Sequence, residues 1–115
     1  MGFFNNTAKN IAMKNGGIKS MFEQFINIFE AEGFFIELLK SDSLMLKFES
    51  NLTTSLIELK LVNESSIKIK FFMRFADGTT PEFLHFDEFY NLSQGQQNIA
   101  DSLIQRIDSE IAKRS

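Results

Sequence analysis

The chain has no cysteine, no tryptophan, one tyrosine, one histidine and a single proline among its 115 residues. Without cysteine, a disulfide-framed secreted fold is excluded. A lone histidine restricts acid–base and metal chemistry severely. With one proline and six glycines, the sequence has none of the character of a collagen-like or low-complexity segment. No apolar run approaches the roughly 20 residues of a membrane-spanning helix, and none has the flanks of a signal peptide. Gly2 suggests a myristoylation site, but position 6 is Asn6, where that motif requires Ser or Thr. Sequons at Asn5, Asn51, Asn63 and Asn91 have no export signal to give them meaning. A cytoplasmic location is therefore the default expectation.

What is present is a globular composition: 43% hydrophobic and 23% charged residues, with a formal net charge of -3. A chain of this length makes one domain that buries roughly two-thirds of its unfolded surface, enough for a core without metal or disulfide staples. Fourteen phenylalanines stand out, and their first expected use is core packing. Abundant Phe, Ile, Lys and Asn fit an AT-rich coding region, hence a bacterial, phage or mobile-element origin. The acidic total argues against a wholly basic nucleic-acid binder. The charge is nevertheless blocked: Lys9, Lys14 and Lys19 without an acid, Lys68, Lys70 and Arg74 without an acid, then an acidic stretch from Asp77 to Asp101.

Apolar spacing predicts a helix over about Phe3 to Lys14, stopped by Asn15-Gly16-Gly17, where glycine takes the left-handed C-cap conformation without strain. A second helix is expected from Ile18 to Glu32, with Met21, Phe22, Phe25, Ile26 and Phe29 in one stripe. The period then falls to two. Phe34, Ile36 and Leu38 share one face, followed by Leu44, Leu46 and Phe48, then Ile57, Leu59 and Leu61, then Ile67, Ile69, Phe71, Met73 and Phe75. Short polar gaps join these runs, which suits antiparallel neighbours. Asp77-Gly78 opens a turn before Pro81. Phe83 to Tyr90 reads either as a fifth strand, through Leu84 and Phe86, or as a short helix opened by a Thr79-x-x-Glu82 capping box. Ser93 with Gln96 predicts a capping box for a last helix reaching about Lys113. The expected architecture is α+β: a two-layer sandwich, with an antiparallel meander of four to five strands and the helices on one face. Phe25, Phe29, Leu46, Leu59, Ile69, Phe71, Leu103 and Ile107 are the expected core.

The alternate strand residues then form an uncovered face: Phe35, Glu37, Leu39, Met45, Lys47, Glu49, Leu56, Glu58, Lys60, Val62, Lys68, Lys70, Phe72 and Arg74. Five bases and three acids are mixed with large apolar side chains. A solvated face with cross-strand Lys–Glu pairs is one expectation. The other is a binding surface carried by Phe35, Leu39, Met45, Lys47, Lys60, Lys68, Lys70, Phe72 and Arg74, because monomers seldom show so much apolar surface in one place. Basic residues beside an exposed Phe also suit single-stranded nucleic acid, although the RNA-recognition signature is missing.

His85 and Asp87 would share a strand face, but spacing supplies no third ligand, so neither metal nor catalysis is expected there. No nucleophile elbow and no phosphate-binding glycine loop is present. Paired acids such as Glu30/Glu32 and Asp87/Glu88 need a cleft to act as a glycosidase pair. Phe3 and Phe4 with Lys9, Lys14 and Lys19 could instead form a detachable arm that docks on a partner. The sequence thus points to a small non-enzymatic interaction protein of adaptor, inhibitor, immunity or chaperone type, without cofactor. Its expected partner is a protein or a second copy of itself. The alternatives are a nucleic-acid module using residues 67–75 and a small hydrolase or metal enzyme around His85.

Overall fold

The computed structural model describes residues 10–75 and 83–113. A helical turn over residues 10–14 ends where the Gly17 amide donates to the Ala12 carbonyl at 2.6 Å. Residues 3–9 of the expected first helix, and the Asp77-Gly78 turn with Thr79, Pro81 and Glu82, lie outside the described residues. Two helices follow, α1 (Ile18–Met21) and α2 (Glu23–Ala31). The sheet comprises β1 (Phe35–Leu39), β2 (Ser43–Glu49), β3 (Thr53–Leu61), β4 (Ser66–Phe75) and β5 (Phe83–Asn91). A 3-10 turn (Leu92–Gln94) then leads into α3 (Gln96–Ala112). All neighbouring strands are antiparallel and follow chain order, so the sheet is a five-stranded meander. The ambiguous segment is a strand.

The helices cover one face, completing the two-layer α+β sandwich. Phe22, Phe25, Ile26 and Phe29 meet Leu44, Leu46, Ile57, Leu59, Leu61, Ile67, Ile69, Phe71, Leu84 and Phe86 from the sheet, with Ile99, Ala100 and Leu103 from α3. Of the expected core, Ile107 is only partly buried; the rest is buried. A run of rings crosses from helix to sheet: Phe25 to Phe29 at 4.8 Å, Phe29 to Phe34 at 5.5 Å, and Phe34 to Phe48 at 5.5 Å between centroids. Gly33 lets the chain reverse beside these rings. Its φ is 102°, and a Cβ there would stand 3.1 Å from the Phe48 ring.

Three local expectations change. The helix predicted over 18–32 breaks at Phe22 (φ -120°, ψ 28°). The capping box lies at Asn91 and Gln94, around the 3-10 turn, not at Ser93 and Gln96. Gly95 is the N-cap of α3, and Gln96 is used elsewhere: its Oε1 accepts from the Phe25 amide at 2.8 Å, and its Nε2 donates to the Met21 carbonyl at 2.9 Å. One side chain on α3 thereby satisfies backbone groups on both sides of the α1–α2 break.

The third change is in β1. Ile36 pairs with Leu46, but Leu38 pairs with Met45 and Leu39 with Leu44, a register shift of one residue around Glu37. Such a bulge reverses the faces beyond it. Leu39 therefore stands on the helix side with Leu44, and Leu38 stands on the open side with Met45, opposite to the alternation read from sequence.

Candidate interaction surface

The open face is built row by row from the strand register. Phe35, Lys47, Leu56, Phe72 and His85 stand side by side across all five strands. The next row holds Leu38, Met45, Glu58, Lys70 and Asp87. Lys60, Lys68 and Phe89 make a third, and Glu49, Thr54 and Arg74 a fourth. Side chains directly opposite on antiparallel strands are close enough to interact, so each row is a line of contact. Phe35, Leu38 and Phe89 are 45%, 55% and 63% exposed. Met45, Leu56 and Phe72 are partly buried between their neighbours.

The structure brings Phe35, Met45, Lys47, Lys60, Lys68, Lys70, Phe72 and Arg74 onto this face. Leu39 does not belong to it, and Val62 follows the end of β3. Leu38 and Phe89 are additions that sequence reasoning missed. Phe89 was legible in principle, since Phe83, His85, Asp87 and Phe89 alternate with Leu84, Phe86 and Tyr90. Leu38 was not, because only the pairing with β2 reveals the bulge.

Charge is unevenly spread over the face. On the β1–β2 side, Lys47 lies 3.9 Å from Glu37 and 2.6 Å from Glu49. Its hydrogen bond to Glu49 holds the ammonium above its ordinary pKa. On the other side β4 carries Lys68, Lys70 and Arg74. Lys68 reaches Asp87 at 3.8 Å and lies 5.9 Å from the centre of the Phe89 ring. Among the described residues Lys60, Lys70 and Arg74 make no ion pair. His85 Nε2 stands 3.8 Å from Asp87, beyond hydrogen-bond reach, and the imidazole is 62% exposed. No group of three or more metal-ligating side chains occurs among the described residues.

The helix side of β5 is already occupied. Arg106 of α3 pairs with Glu88 and Glu110 and lays its guanidinium 4.4 Å from the Phe86 ring centre. These pairs raise the Arg106 pKa, through Glu110 first; Lys113 and Arg106 lower that of Glu110. This cluster ties α3 to the sheet.

Comparison with protein-family models, curated proteins and solved structures finds no match. No described helix is long and apolar enough to cross a membrane.

Proposed function

We infer that the chain is a non-enzymatic interaction protein that docks a protein surface on its open sheet face. The occupant that the face fits best is a second copy of the chain. The observation that carries this reading is the coincidence on one face of exposed Phe35, Leu38 and Phe89 with Lys60, Lys70 and Arg74, cations that make no ion pair among the described residues. Exposed apolar side chains interspersed with charge on one face are typical of an interaction site. The charge gradient supports self-pairing. A twofold axis running along β3 between two facing sheets lays β2 of one protomer over β4 of its partner. Glu49 then stands opposite Arg74 of the facing β4, since both lie in the same row across β3.

Sedimentation equilibrium at micromolar concentration tests this directly. The wild type should give twice the 13.2 kDa chain mass, and Phe72→Glu should return it to the monomer. A monomeric wild type would contradict self-association, and a dimer unchanged by Phe72→Glu would move the interface off this face.

One observation favours a second reading. Lys68 over Phe89, with Lys60, Lys70 and Arg74 nearby, resembles the basic and aromatic surfaces that stack single-stranded bases and grip phosphate. Titration with a mixed-sequence single-stranded oligonucleotide distinguishes it, because phosphate contacts weaken steeply as salt rises.

A further inference from the structure

On the opposite side of the sheet, the two layers leave a cavity of about 340 Å³ at the end where α2 stops. Its floor is Ser55 and Phe71, each 1% exposed; its walls include Phe29, Phe34 and Phe48, with Ile104 and Ile107 of α3 above. Ser55 explains the space. It occupies a helix-facing position on β3, where Ile57 and Leu59 follow, and it pairs with Phe48 and Met73. A hydroxymethyl group there leaves unfilled the volume that an aliphatic side chain would take. The volume falls at the lower end of the range for small-molecule sites.

The lining also has a definite electrostatic sense. Four phenylalanines, Phe29, Phe34, Phe48 and Phe71, line the cavity, and the face of an aromatic ring attracts cations. Among the described residues the one ionisable group in the lining is Glu32, an exposed carboxylate. Glu32 is also the C-cap of α2, where the helix dipole and its last carbonyls add negative potential. Rings, carboxylate and helix end all favour positive charge, and the floor favours an apolar body. We propose that this cavity binds a small amphipathic amine, with its apolar or aromatic body on Ser55 and Phe71 and its ammonium at Glu32.

The probes are phenylbutylamine and phenylbutyrate, which share an apolar body and differ in charge. Binding to the full chain at neutral pH is followed by amide shifts in heteronuclear NMR titrations. Phenylbutylamine should shift amides around Phe29, Phe34, Phe48 and Ser55 and bind at least about tenfold more tightly than phenylbutyrate, the scale of a partly desolvated cation–π and ion-pair contact. Glu32→Gln should remove most of that preference, and because Glu32 is exposed the variant tests charge without touching the core. Ser55→Leu should fill the floor and abolish binding of both probes. No shift with the amine at millimolar concentration, equal affinity for the two probes, or a preference that survives Glu32→Gln would overturn the assignment. If Ser55→Leu fails to fold, the Glu32→Gln comparison still decides.

Discussion

Gln96 does the work of a helix cap from a distance of more than seventy residues in sequence. Its amide meets the Phe25 amide and the Met21 carbonyl, two groups that the break at Phe22 leaves without helical partners. Gln96→Ala strands both and should lower unfolding stability by about 1–3 kcal/mol in chemical denaturation. A loss within a few tenths would show that water replaces it freely. Phe71 tests the core in the same way. It is 1% exposed, and its ring lies 5.3 Å from that of Phe86. Phe71→Ala should cost about 3–5 kcal/mol, whereas a loss below about 1 kcal/mol would mean that the faces of β4 are inverted. Tyr90 offers a pH test. Burial pushes its phenol up to about 12 from an ordinary value of 10.0. Folding thus favours the neutral phenol. The resulting stability is intact below pH 10, where the unfolded phenol begins to ionise, and is lost as pH rises toward 12. Against a common background of lysine titration, Tyr90→Phe should show a shallower fall in stability over that window. Parallel curves for the two proteins would contradict it.

At the scale of elements, the period of two was enough to locate four strands; in β2, β3 and β4 one face is buried, and alternation is then enforced residue by residue. Alternation failed in β1, an edge strand with one neighbour. There Glu37 bulges, and the residues beyond it change faces for a reason that lies in the pairing with β2 and not in the sequence of β1. The capping box was misplaced because Asn91–Gln94 and Ser93–Gln96 have the same spacing and suitable residue types; the competing use of Gln96 lies across the fold, where local pattern cannot see it. Of the open face, the residues on β2, β3 and β4 were legible from alternation alone, while Leu38 and Phe89 depended on the bulge and on settling the type of β5. The cavity had no sequence signal, since Ser55 reads as an ordinary small residue until Phe48, Phe71 and the end of α2 surround it. These differences predict a gradient of amide protection. β1 is short, bulged and mostly exposed, whereas β3 and β4 are paired on both sides. Native-state hydrogen exchange should be fastest in β1 and slowest in β3 and β4. Uniform protection across the five strands would mean that β1 is held by something outside the described residues.

For the whole molecule, the sandwich has one face closed by helices and one face open, and the two differ in chemistry. The closed side holds the aromatic core, the Arg106 cluster and the cavity at Glu32. The open side sets Glu37 and Glu49, with Lys47 between them, on one flank, and Lys68, Lys70 and Arg74, with Asp87, on the other, with Leu56 of β3 between. That separation of charge makes a twofold pairing self-complementary, and it gives the central claim a test that does not depend on removing apolar contacts. Sedimentation equilibrium should be run on Arg74→Glu, on Glu49→Arg and on the double variant. Each single reversal should weaken the dimer, because like charges then face one another across the axis, and the double variant should recover it. Single variants that associate like the wild type, or a double variant weaker than either, would contradict docking of a second copy on the open face.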